Sequence, residues 1–134
     1  MRLCDETITL YNAGLDPATG EDVYLMTVID GCSWAETRGA AAEKGGSRAS
    51  DGCVIRIPED AGFSGKRYVA PAAFDGASGE CFTLRPGDMV VRGEVTEEGL
   101  RPDELRRQYS ALTVRAVSDN RRGRLGRHWR IECE

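Results

Sequence analysis

The chain has 134 residues, 40% of them hydrophobic, which suits a single domain over residues 1–134 with a modest core. Its formal net charge of −4 argues against free nucleic-acid binding as the main role. No apolar run approaches the roughly 20 residues of a membrane-spanning helix. No apolar stretch near Met1 resembles a signal-peptide core, so synthesis and residence in the cytosol are expected.

Thr7-Ile8-Thr9-Leu10-Tyr11 alternates in the period-two manner of a half-buried strand, and Asn12-Ala13-Gly14 is expected to break it. Asp16-Pro17-Ala18-Thr19-Gly20 supplies turn chemistry, since proline presets φ and glycine accepts positive φ. From Asp22 to Asp30, Val23, Leu25, Thr27 and Ile29 fall on one face and Tyr24, Met26 and Val28 on the other. Two apolar faces predict a strand covered on both sides. Beyond Gly31, Cys32-Ser33-Trp34 continues that strand or begins a short paired one.

The stretch 37–52 holds no large apolar residue and reads as an exposed, poorly ordered loop. Cys53-Val54-Ile55-Arg56-Ile57 is a strand closed by Pro58, which has no N–H for a ladder. Short extended pieces follow at Arg67–Val69 and Phe82–Leu84. Arg85-Pro86-Gly87-Asp88 is a turn leading into a strand from Met89 to Gly93. A helix over about 102–110 is expected from Pro102 at a first helical position, Asp103 and Glu104 in the first turn, and Leu105 and Tyr109 on one face. Leu112–Asp119 and His128–Cys133 form a hairpin joined by Asn120–Arg127, with Trp129 in phase with the inward Ile131 and Cys133. The pattern is mainly β: a small barrel or sandwich of roughly seven to eight short strands with one short helix.

The residues offer little reactive chemistry. Cys4, Cys32, Cys53, Cys81 and Cys133 are odd in number, widely spaced and without a CxxC pair, so they read as free thiols rather than a disulfide framework or a zinc site. The lone histidine, His128, begins a strand between Arg127 and Trp129, and no base–nucleophile pattern surrounds it. Acidic pairs such as Glu59-Asp60 flank turns, where adjacent carboxylates are ordinarily just solvated. Phe63-Ser64-Gly65-Lys66 lacks the glycine spacing of a phosphate loop and has Arg67 where a Ser or Thr would hold magnesium. No catalytic residue, cofactor, metal or small-molecule substrate is therefore expected.

Charge is unevenly spread. Residues 1–100 carry nine basic against seventeen acidic side chains, and residues 101–134 carry nine against five. The excess of arginine gathers in Arg121-Arg122-Gly123-Arg124-Leu125-Gly126-Arg127, beside Trp129 and Arg130. Such a segment suits phosphate contact and stacking. It equally suits a hairpin tip that pairs with acidic surfaces of this chain or of a neighbouring copy.

Taken in order, TITLYN, DVYLMTVIDGCSW, VIRIP with SGKRYV, FTLRPGDMVVRGEV, and LTVRAVSDNRRG with HWRIE resemble small structural proteins from the head-to-tail connector gene region of tailed phages and prophages. The resemblance covers most of the chain apart from the 37–52 loop, and its motifs are specific only as a set. It implies a non-enzymatic virion component, a head-closure or connector subunit, with a tail-completion or minor capsid role as the alternative. It also implies a virion location after assembly in the bacterial cytoplasm. The partners would be copies of itself, the portal or adaptor, and tail-side proteins, with DNA met only in the channel and no membrane. A head-to-tail ring joins two different surfaces of each subunit, which the charge split would serve. Candidate assembly contacts are Arg38, Lys44 and Arg48 in the loop and Arg121, Arg122, Arg124 and Arg127 at the hairpin tip. A small nucleic-acid-binding β-barrel using residues 121–130 is the alternative from another class.

Overall fold

The computed structural model describes residues 5–15, 18–37, 52–74, 80–96 and 101–134. Among these the protein is mainly β, with eight strands and one α-helix. In chain order they are β1 (Glu6–Leu15), β2 (Asp22–Thr37), β3 (Gly52–Pro58), β4 (Arg67–Tyr68), β5 (Cys81–Phe82), β6 (Met89–Arg92), α1 (Pro102–Tyr109), β7 (Leu112–Asn120) and β8 (His128–Cys133). Six strands pair in the cyclic order β1-β2-β3-β8-β7-β6, and the ladder between β6 and β1 closes the barrel.

Two strands turn the corners between its two halves. Residues 22–32 of β2 pair with β1, whereas Ser33–Thr37 pair with β3. Likewise Leu112 and Thr113 of β7 pair with β6, and the strand from Val114 onward pairs with β8. Two sheets thus face each other as in a sandwich and share their edge strands, the way orthogonal packings make corners by strands that switch sheets. Gly31 sits at the β2 corner with φ +88°, beside a register shift opposite Glu6 and Thr7. Glycine accepts that conformation without a Cβ clash, so it bends the strand there rather than ending it.

One local expectation needs correction. Asn12-Ala13-Gly14 does not break β1, which runs to Leu15. The Asn12 side chain, which in a turn would satisfy its own backbone, instead bonds to the segment crossing below it. β2 continues through Cys32-Ser33-Trp34 to Thr37, the first of the two readings of that segment, and has 16 residues. The helix expected over about 102–110 runs from Pro102 to Tyr109 and ends where Ser110 takes the left-handed conformation at φ +56°. Arg101 N–H donates to the Glu104 carboxylate at 2.9 Å, fixing the start of α1. The 37–52 loop falls, for residues 38–51, outside the described residues; its flanks Thr37 and Gly52 are paired neighbours.

The two faces of the β1–β2–β6 sheet bury different cores. Inward, Ile8, Leu10, Ile29, Val90, Ile55, Ile57, Trp129 and Ile131 fill the barrel with Phe82 and Leu84. Outward, Tyr11, Met89, Val91 and Val95 meet Leu105 of α1, with Tyr24 and Met26 at the margin. This accounts for the doubly apolar β2. It also explains how a helix of only 8 residues persists: burial of Leu105, not propensity, holds it.

Candidate functional site

The barrel presents two ends, and an arginine lies on a tryptophan at each. At the end where β3 finishes and β8 begins, Phe82 packs against Tyr68 at 5.8 Å and stacks on Phe63 at 5.1 Å between ring centroids. Trp129 lies 4.7 Å from Tyr68 and meets Phe63 edge-on at 6.0 Å. The parallel pair of β4 and β5 holds these rings together. Over them, the Arg121 guanidinium stands 4.6 Å from the Trp129 ring and 5.1 Å from that of Tyr68. Both Asp119 oxygens accept from it at 2.8 Å, and that bonding holds the Asp119 carboxyl below its ordinary range.

At the opposite end Arg92 lies 5.0 Å from the Trp34 ring. It donates to both oxygens of Glu6, at 3.1 and 2.8 Å, and reaches Glu36 at 3.8 Å. The Glu6 carboxyl is accordingly lowered by its bond to Arg92. An open hollow of about 410 Å³ adjoins this cluster, lined by Trp34, Glu36, Cys53, Arg92, Tyr109 and Leu112 among others.

A third polar assembly is internal. Asn12 is fully buried; its Nδ2 donates to the Thr83 carbonyl at 2.9 Å and to Asp88 at 2.7 Å, and its Oδ1 accepts from Thr83 N–H at 3.1 Å. Asp88, 4% exposed, is neutralised by Arg85 Nε at 2.9 Å and accepts from Ala13 N–H. Arg85 also donates to the Ala13 carbonyl and lies 5.1 Å from the Phe74 ring. The Arg85–Asp88 turn within FTLRPGDMVVRGEV is therefore a tie between β1 and the segment that crosses the barrel end.

The hairpin tip separates the arginines grouped by sequence. Arg121 is committed to Trp129 and Asp119, and Arg127 to Glu59 at 2.8 Å. Arg122 and Arg124 are exposed, and neither has an ion-pair partner among the described residues. Between them and Gly126 stands Leu125, 91% exposed. His128 braces the turn: Nδ1 donates to the Gly126 carbonyl at 2.6 Å, which leaves Nε2 to accept from Asn120 Nδ2 at 3.4 Å. Arg38, Lys44 and Arg48 lie outside the described residues. Sequence reasoning missed Arg92, Asn12 and Asp88, whose roles depend on partners between 71 and 86 positions away. Among the described residues no three His, Cys, Asp or Glu side chains gather as a metal site requires.

These features define a filled, closed β-barrel with an outlying helix and one projecting basic hairpin. The chain belongs to a family of unknown function, DUF6751, whose model matches residues 3–134. No curated protein and no solved structure matches it.

Proposed function

We propose that the protein is a non-enzymatic structural subunit of a tailed-phage or prophage virion, a head-closure or head-to-tail connector part. The observation that carries this reading is the hairpin tip, braced at its base by His128 and Arg121 and presenting Arg122, Arg124 and Leu125 outward. A nearly fully exposed leucine next to arginines that have no ion-pair partner among the described residues is suited to insertion into a neighbouring protein surface with an acidic rim. The filled barrel behind it supplies rigidity, and the acidic excess of the first hundred residues would offer complementary charge on a copy or neighbour. A tail-completion or minor capsid subunit uses the same features in a different ring.

One observation favours protein over nucleic acid as the partner of the tip. Arg121 and Arg127 are held by Asp119 and Glu59, so half of the cationic charge expected there is neutralised within the chain. The test is quantitative mass spectrometry of particles induced from the source strain, normalised to the portal protein. Recovery near portal stoichiometry supports the connector role, and a copy number near that of the major capsid protein moves the subunit to the shell. Absence from intact particles overturns the virion reading and favours a small nucleic-acid-binding barrel.

A further inference from the structure

Cys53 and Cys133 are register partners across the β3–β8 ladder. Both belong to the main core, and each is 3% exposed. Residues directly opposite in an antiparallel pair have Cα atoms about 4.5–5.5 Å apart. That separation lies within the roughly 4.4–6.8 Å that a disulfide spans. The other described cysteines have no thiol opposite them: Cys32 pairs with Glu6, and Cys81 with Arg67.

The two thiols act on one another, and their environments differ. The interaction with Cys133 holds the Cys53 thiol below its ordinary range, against the effects of burial and Glu36 and with the help of Arg92. The same interaction, together with burial, pushes Cys133 up. The lowering favours Cys53 over Cys133 as the first to react. Nor is the pair sealed off. Both cysteines line an open hollow of about 450 Å³ with Gly52, Val54 and Arg115, and Cys53 also borders the hollow beside Arg92.

From the direct opposition of these two side chains on neighbouring strands, we infer that Cys53 and Cys133 form an oxidation site, a dithiol that a peroxide converts into a cross-strand disulfide. The Cys53 thiolate attacks one peroxide oxygen, the O–O bond breaks, and the departing hydroxide takes a proton to become water. Cys53 is left as the sulfenic acid. The Cys133 sulfur then attacks the Cys53 sulfur, the S–O bond breaks, and the hydroxyl leaves as water with the Cys133 proton. Two thiols lose two electrons in all, and one hydrogen peroxide becomes two waters. The product staples β8, the last strand, to β3. This site stands on strand register and is independent of the role proposed for the hairpin tip.

The experiment uses the full native chain. Hydrogen peroxide is added and removed, remaining thiols are alkylated with N-ethylmaleimide in denaturant, and the digest is mapped by mass spectrometry. The expected result is a peptide linked through Cys53 and Cys133, abolished by dithiothreitol, with Cys32 recovered alkylated and the thermal midpoint of the oxidised protein shifted upward. In Cys133→Ser, dimedone should trap a sulfenic acid at Cys53; in Cys53→Ser, no such adduct should appear at Cys133. Recovery of Cys53 and Cys133 as separate alkylated peptides, under conditions that oxidise the more accessible Cys81, overturns the proposal. So does a linkage of either residue to another cysteine.

Discussion

Arg121 lies with its guanidinium 4.6 Å from the ring centroid of Trp129, and Asp119 grips it from the side at 2.8 Å. The same arginine would read as a free cation from sequence, yet it closes one end of the barrel over Tyr68 and Trp129. Replacing it with alanine removes a cation–π contact and an ion pair whose arginine is 31% exposed. The expected cost is about 1–2 kcal/mol, most of it from the aromatic contact. Arg121→Lys should recover only part of it, because an ammonium cannot stack flat on indole while bonding both Asp119 oxygens. Urea unfolding of the two variants measures both.

The tie through Asn12 and Asp88 should be worth more, because it is buried. Asp88→Ala removes the carboxylate that Arg85 pairs with and one of the two acceptors of the Asn12 amide, and a cost of about 3–5 kcal/mol is expected. Asn12→Ala leaves the Thr83 N–H unpaired, for about 1–3 kcal/mol. The double variant should cost less than the sum of the two, since the residues share a hydrogen bond. Strict additivity in the denaturation midpoints would show that the segment from Thr83 to Asp88 is held by Phe82 and Leu84 alone.

Acid should loosen both ends of the barrel together. Glu6 and Asp119 have carboxyls lowered by their arginines, Arg92 and Arg121. A folded value below the unfolded one contributes stability above the ordinary carboxylate range near pH 4, lost as pH falls through the depressed folded values. The urea midpoint should therefore decline on acidification below about pH 4. Glu6 is partly exposed and Asp119 exposed, so the decline should shrink in high salt. In Arg92→Met the Glu6 share disappears, and the pH profile flattens.

How far the sequence reveals this molecule depends on whether the signal is local. The strand at Cys53–Ile57, the helix at Pro102 and the hairpin into Trp129 announce themselves through alternation, caps and breakers within a few residues. Gly31 leaves two readings open and Asn12 misleads, each for a physical reason. A glycine that ends a strand and one that bends it around a corner have the same local chemistry, and only the switch of partner from β1 to β3 tells them apart. Asn12 reads as a turn former until Thr83 and Asp88 arrive from 71 and 76 residues away to satisfy it. The arginine tip shows the same division. Composition locates the cluster, but which members are consumed internally depends on the positions of Glu59 and Trp129.

That division yields the sharpest prediction about the tip. Arg122, Arg124 and Leu125 touch little of their own chain, so Arg122→Ser, Arg124→Ser and Leu125→Ser, singly or combined, should each leave stability within about 0.5 kcal/mol of the parent. Arg121→Ala should do the reverse, weakening the fold while leaving the projecting surface in place. If the tip seats the subunit against a protein neighbour, the combined variant folds normally and is missing from purified particles. The Leu125→Ser single variant should account for much of that loss, because a rigid apolar anchor at the centre of a contact carries more energy than its charged rim. If the tip instead meets DNA, Leu125→Ser is nearly silent, and the arginine variants lower affinity in a salt-dependent manner. The leucine is therefore the more informative substitution. The arginines suit either partner, whereas a side chain 91% exposed beside them lowers its free energy only by entering an apolar pocket.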